Sequence, residues 1–335
     1  MKARTTLIGI AISLLLLFLA LRNVDFGYVL SMLRGIHIFS LTIPLVFIFV
    51  GLFLRVLRWK YILNPSKKEK LLNLFSVMMI SYLGNNILPA RMGEVLRIYT
   101  LDKNYGFNKS QTLGTIVVEK IFDVLVLLTF FAITLFFASF PAWVKNSGLL
   151  LGVGLFAIIA FLKFSLNNKP QTFRLIKILI SPFSERIGNK TKGILENFGN
   201  GLSILQKKKD LVIVMSYSIV IWIVEFLFVD SILSSLGLRL TIVAPVFLTV
   251  MLNIGMLIPS SPGYIGTYQA ACIASLAPFG IEKNLALSVS IVLHVLMLIT
   301  TTVTGMICFW KEKTADLAAF SNACGESDFT HSLRR

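Results

Sequence analysis

Residues 84–97 read Gly84-Asn85-Asn86-Ile87-Leu88-Pro89-Ala90-Arg91-Met92-Gly93-Glu94-Val95-Leu96-Arg97, directly after an uncharged run that begins at Leu71. Pro89 has no N–H to continue a helix, but it suits the first position of a returning one. Backbone broken at membrane depth is tolerated only where it is buried in protein or lines a wet cavity. The stretch therefore predicts a helix that enters, breaks and returns. A second break reads Pro259-Ser260-Ser261-Pro262-Gly263-Tyr264-Ile265-Gly266-Thr267-Tyr268-Gln269. Leu257-Ile258-Pro259 before Gly263 repeats Ile87-Leu88-Pro89 before Gly93 with the same Pro-to-Gly spacing. Ser261 and Pro262 suit an N-cap and the first residue of a helix.

The surroundings of these breaks are a membrane protein's. The chain has 335 residues, 56% of them hydrophobic and 14% charged, and its mean hydropathy is +0.81. A soluble domain carries about 25% charged residues. This composition excludes a soluble enzyme and a disordered chain. Stretches long and apolar enough to cross a bilayer run from Thr5, Ile38, Thr112, Asn146, Leu211 and Asn284, with the broken stretches 71–100 and 240–281 among them. The expected fold class is all-α: a polytopic bundle of about six spanning helices plus two broken re-entrant hairpins related as an inverted repeat. Residues 1–313 form one transmembrane domain. Apolar residues at Phe173, Ile176, Ile180, Phe183 and Ile187 predict amphipathic interfacial helices within 167–209. Residues 314–335 read as a flexible polar tail.

The net charge of +16 sits in runs between apolar stretches, which suggests membrane flanks rather than nucleic acid. Arg55, Arg58, Lys60, Lys67, Lys68 and Lys70, and the basic segment 163–209, are expected on the cytoplasmic side. Lys103 and Lys109 join them if Lys145 is outside, so 71–100 cannot be a single crossing. Arg239 and Lys283 are expected outside, which predicts that 240–281 enters from the other face or crosses twice. Both termini are then cytoplasmic in a multi-pass cell-membrane protein.

Charged residues inside apolar segments are costly and usually functional. Arg91, Glu94 and Arg97 share one face of the returning half-helix, where two guanidiniums beside a helix N-terminus suit a phosphate or carboxylate. The bland alternative is a self-satisfied Arg–Glu–Arg ladder. Glu119 and Asp123 lie one turn apart, with Lys120 pointing elsewhere, and should turn inward to meet Arg91 or Arg97, as a site or as a structural brace. Glu225 needs a partner or a proton and is a candidate coupling residue; Asp230 could pair with Arg239. Asn86, Ser261, Gly263, Tyr268 and Gln269 complete the candidate binding set at the breaks. His294 reads as a hydrogen-bonded packing residue, and Phe130-Phe131 and Phe136-Phe137 as lipid-facing. No GxxxxGK[ST], GxSxG, HExxH or DxD pattern is present, and three histidines and three cysteines offer no metal-binding spacing. No cofactor or metal is expected.

Asn86-x-x-Pro89-x-Arg91-x-Gly93-Glu94-x-x-Arg97, Glu119-x-x-x-Asp123 and Pro259-x-x-Pro262-Gly263-x-x-Gly266 resemble, in order and spacing, the membrane domain of lysylphosphatidylglycerol synthases, which also occurs alone in flippase-like membrane proteins. The resemblance covers about residues 5 to 310. It implies re-entrant helices and movement of a lipid between leaflets. The chain ends some 25 residues after its last apolar helix, so aminoacylation of a lipid is not expected. Gln269 stands where the family often has Glu, and Tyr264 where Gly is common, so the carried headgroup need not be lysylphosphatidylglycerol.

The expected function is a non-enzymatic lipid flippase whose Arg91 and Arg97 hold an anionic headgroup, of a phospholipid or polyprenyl phosphate. Glu94, Glu119 and Asp123 would position those arginines. The alternatives are a membrane-embedded glycosyl or phosphoryl transferase acting on a lipid carrier, and an ion-coupled solute transporter. The expected partners are membrane lipids, not nucleic acid; a homo-oligomer stays open. Arg91, Arg97, Glu119 and Asp123 are expected to converge on one cavity near the hairpin tips.

Overall fold

The computed structural model describes residues 13–63, 69–88, 92–137, 140, 144, 152–154, 156–157, 160, 201, 208–256 and 261–332, with side chains as far as 312. Arg91 and the segment 167–200 lie outside the described residues. Among the described residues all regular structure is helical. Helices α1 (Ser13–Leu21) and α2 (Phe26–Arg34) meet at an angle of 87°, at a turn where Asn23 takes φ 58 and Asp25 caps α2 by accepting from the Tyr28 N–H. Then follow α3 (Thr42–Leu63), α4 (Leu71–Ile87), α5 (Gly93–Tyr105), α6 (Lys109–Phe137), α7 (Lys208–Ser235), α8 (Val243–Gly255), α9 (Thr267–Leu276) and α10 (Lys283–Ser332).

Three helical stretches, Ile38–Leu63, Lys208–Ser235 and Lys283–Glu312, are long and apolar enough to cross a membrane, and the α1–α2 pair makes a fourth if it is one bent span. Large apolar side chains on the outside, such as Phe39, Phe53, Phe136, Phe137 and Ile307, have no place in water and suit lipid tails. The protein is an all-α polytopic membrane bundle. The expected fifth span, from Asn146, falls almost wholly outside the described residues. Helix α10 continues to Ser332, through a segment with no proline to stop it.

Both expected breaks are hairpins. Gly84 of α4 faces Gly93 of α5, and a Cβ on Gly93 would collide with the Ser81 carbonyl oxygen. Asn85 accepts the Gly93 N–H at 2.9 Å and so ties the turn. Gly93→Ala therefore cannot be absorbed without splaying the hairpin. We expect it to lose the folded population in detergent, read as loss of the monodisperse peak in size-exclusion chromatography; a wild-type thermal midpoint would contradict this packing. Gly106, at φ 65, closes α5 with the left-handed residue such ends favour. In the second hairpin Gly255 of α8 packs on Ala271 of α9. At 1.5 Å per residue, α4, α5, α8 and α9 are roughly 26, 20, 20 and 15 Å long, short of a hydrocarbon core of about 30 Å.

Helix α10 shows that the hairpins enter from opposite ends. Asn104 and Tyr105, at the base of the first hairpin, donate to Glu312. The Asn86 amide at its tip donates to Thr301 and Thr302. At the base of the second hairpin the Cys272 thiol reaches the Ala286 carbonyl, and Gly263 at its tip touches Leu298 and bonds His294. The two bases thus lie near the ends of a 30-residue stretch, roughly 45 Å long, and the tips meet at its middle. The packing is reciprocal: α4 lies on α10, α8 lies on α6, and α3 crosses α7. Each hairpin sits between two long helices and leans on the closing helix of the other unit, the arrangement an inverted repeat produces.

The core fills the crossing with Val56, Trp59, Met79, Leu101, Ile232, Leu248 and Leu293. Phe136 and Phe137 are exposed as expected, but Phe131 is buried, its ring 6.0 Å from that of Phe247. Phe130 packs edge-on against Phe226 at 4.8 Å. The lipid-facing expectation therefore fails for that pair, because α8 and α7 cover their face of α6.

Candidate functional site

The charges placed inside apolar helices find each other. Arg58 of α3 is 1% exposed and grips Asp123 with both terminal nitrogens, Nη1 to Oδ1 at 2.6 Å and Nη2 to Oδ2 at 3.1 Å. It also donates to Ser218 at 2.8 Å and approaches Glu119 at 3.7 Å. Arg97 donates to Glu119 at 2.8 Å and lies 3.5 Å over the Trp59 ring, a stacking worth about 2 kcal/mol when desolvated. The Trp59 indole is itself anchored on Thr115. Trp222 adds its indole N–H to Asp123 at 3.2 Å. One turn from Arg58 on α3, Arg55 donates to Glu225 at 2.6 Å and lies 5.3 Å from the Trp222 ring. Among the described residues three buried guanidiniums meet three carboxylates, so the network is neutral. Buried charges need that pairing.

Beside this network the hairpin tips enclose a cavity of about 290 Å³. Part of its lining is apolar: Val124, Leu127, Leu128, Ile254, Met297 and Leu298. The lining also carries Arg55, Asn85, Asn86, Glu94, Lys120, Asp123 and Asn253, with the rings of Tyr82, Trp222, Tyr264 and Tyr268. Lys120 reaches Glu94 at 3.5 Å instead of pointing away from the site, because Glu94 sits on the returning arm above it. The second tip is held by a chain of bonds of fixed sense. A carbonyl can only accept, so His294 donates from Nε2 to Gly263 at 2.7 Å. Its Nδ1 then accepts from the Gln269 amide at 3.1 Å, and the Gln269 oxygen accepts the Gly266 N–H at 2.7 Å. Tyr268 stacks on His294 at 4.4 Å.

Of the expected site residues, Asn86, Glu94, Asp123 and Tyr268 line the cavity. Arg97 and Glu119 belong to the network behind the wall, so of the expected four-residue convergence only Asp123 faces the cavity; Arg91 lies outside the described residues. Arg97 bonds Glu119 and stacks on Trp59 instead of lining the cavity, and its Nε and Nη2 are buried without a partner among the described residues. Glu119 meets Arg97 as expected, while Asp123 meets Arg58 and not Arg97. Glu225 joins through Arg55. Gly263 and Gln269 shape the tip, while Ser261 turns outward: its N–H donates to Ser13 and its hydroxyl to the Ile265 carbonyl. His294 is the hydrogen-bonded residue expected, and it also lines the cavity. The sequence reading missed Arg55 and Arg58, assigning both to a cytoplasmic flank. Their spacing of three within α3, beside Trp59, was the available signal: it puts both on one helix face, inside a helix otherwise uncharged before Lys60.

Comparison with known proteins agrees with this picture. Residues 6–305 match the family described as the lysylphosphatidylglycerol synthase TM region. A membrane protein of Methanocaldococcus jannaschii is 26% identical over 232 residues, covering 68% of this chain and 92% of its own length. One from Methanothermobacter thermautotrophicus is 24% identical over 323 residues, 90% of this chain and 86% of its own; both carry the name UPF0104 membrane protein. Glycosyltransferase AglD of Haloferax volcanii is 23% identical over 336 residues, 90% of this chain but 53% of its own length. No solved structure matches. The chain belongs to the lysylphosphatidylglycerol synthase TM-region family of integral membrane proteins.

Proposed function

We propose that this protein moves a phosphate-bearing lipid between the leaflets of the cell membrane without altering it chemically. The observation that carries the reading is the cavity where the two broken hairpins meet, lined by apolar side chains together with charged and amide ones. Its volume lies at the lower end of the roughly 300–1,000 Å³ typical of ligand sites, enough for a headgroup while the acyl chains stay in lipid. Arg55 and Lys120 are the cavity cations for the phosphate, Arg55 by exchanging Glu225 for it. Hairpins entering from opposite ends give each leaflet an equivalent approach. The base of the first hairpin, with Lys103 and Lys109, and both termini are placed on the cytoplasmic side by their basic flanks.

Reconstitution in liposomes with fluorescent phospholipids, quenched from outside, tests this. The expected result is accelerated movement of lipid, with its mass unchanged after extraction. A second reading has one observation in its favour, the likeness to a protein named glycosyltransferase over 90% of this chain. It assigns Glu94 and Asp123 to group transfer on a lipid carrier. Lipid of altered mass, formed with an activated sugar supplied, would establish it and overturn translocation.

A further inference from the structure

Two amides in the cavity have their orientation forced by their neighbours. The Asn253 Nδ2 group donates to the Thr249 carbonyl at 2.9 Å, and a carbonyl can only accept. The Asn86 Nδ2 group faces Thr301 at 3.0 Å, and that hydroxyl has already given its proton to the Met297 carbonyl at 2.7 Å. In both residues the amide nitrogen is therefore turned to protein and the oxygen is left over. Among the described residues neither oxygen has a donor. Both side chains line the cavity, one from each hairpin. A third acceptor, Oε2 of Glu94, is buried without a partner. Asn85, also in the cavity lining, has the opposite sense: its oxygen takes the Gly93 N–H, so its Nδ2 is a donor.

We infer that the cavity is built for a hydroxylated ring, a sugar or cyclitol, joined to the lipid phosphate, and that Asn86 and Asn253 are its specificity-determining residues. The inference rests on the translocase reading and names its substrate class. A hydroxyl both gives and receives, so a polyol ring can satisfy acceptors from both hairpins and the Asn85 donor together. A bare phosphodiester has no proton to give and leaves the two amide oxygens unmet. The described network is neutral, so it does not by itself select a second charge on the headgroup. The aromatic rings of Tyr82, Trp222, Tyr264 and Tyr268 supply flat apolar faces beside the polar atoms, as a ring with hydroxyls at its edge requires. Sites that hydrogen-bond a substrate hydroxyl discriminate strongly against the analogue lacking it.

The test is binding to the purified full chain in detergent, by microscale thermophoresis, of dioleoyl phosphatidylinositol against dioleoyl phosphatidylmethanol. The two share chains and phosphodiester charge and differ in the polyol. We expect phosphatidylinositol to bind at least roughly tenfold tighter. Asn253→Ala removes one acceptor and strands nothing, since Thr249 keeps its helical bond, and should cut the preference severalfold with little change in phosphatidylmethanol binding. Because a ratio of affinities is read, a partly folded variant still reports; Asn253→Ser serves as a second probe. Equal binding of the two lipids, or a preference unchanged in both variants, overturns the inference and leaves translocation standing. Binding of neither lipid, with no lipid movement in liposomes, overturns both.

Discussion

Replacing Arg58 by alanine should sharply lower the stability of the protein. The change strands Asp123, which among the described residues keeps only the Trp222 indole N–H, and leaves Ser218 and the second oxygen of Glu119 facing an emptied space. Removing one partner of a buried ion pair costs about 3–5 kcal/mol. At a few degrees per kcal/mol that is on the order of 10 °C in thermal midpoint. The double variant Arg58→Met with Asp123→Leu removes both charges and should recover most of the midpoint, since apolar replacement of a buried pair is often neutral or stabilising. Lipid movement should not recover, because Asp123 is also a cavity residue. A midpoint for Arg58→Ala within a degree or two of wild type would show that the pair does not brace the bundle.

Arg55→Gln should have the opposite profile, a small loss of stability and a large loss of function. The Arg55–Glu225 pair is less buried, with side chains 15% and 19% exposed, and Arg55 lines both the main cavity and a smaller one beside Glu225. The phosphate is expected to gain a charge-assisted bond from Arg55, a class of contact worth about 1.5–3 kcal/mol. Its loss should slow transport roughly ten- to a hundredfold in the liposome assay. The exchanged variant, Arg55→Glu with Glu225→Arg, separates the roles. A pair that only braces α3 against α7 works in either sense, so stability and transport should both return. A phosphate contact does not survive the exchange, since a carboxylate then faces the headgroup. Transport restored in the exchanged protein would remove Arg55 from the binding site.

Arg55 and Arg58 lie toward the end of α3, where the charge pattern assigned them to a cytoplasmic flank. Arg55 and Arg58 were counted with Lys60 because all three are basic and close in sequence. Sequence distance from the end of an apolar run says how far along a helix a charge lies, not which neighbour covers it. The acids were easier to place, because carboxylates in the middle of a span have no polar surface within reach and must turn inward. Arg97 shows the converse. Its place on the returning half-helix and its meeting with Glu119 were legible, but not its stacking on Trp59, which comes from α3.

What the sequence alone determined is the class and the plan. Apolar runs too long for a soluble core, proline and glycine at two matching breaks, and the sidedness of Lys and Arg require a helical membrane protein with two broken hairpins. Each is a local property: hydropathy over one span, a missing N–H at one proline, a charge bias in one loop. Tertiary structure decided which side chains share a site. The pairing of Arg58 with Asp123, the closure of the second tip by His294, and the sharing of one cavity by Asn86 and Asn253 join residues 65, 31 and 167 positions apart. Helix crossing sets such distances, and the packing of glycines against backbone at Gly84, Gly93 and Gly255 sets the crossing, a constraint of shape that composition and periodicity do not encode.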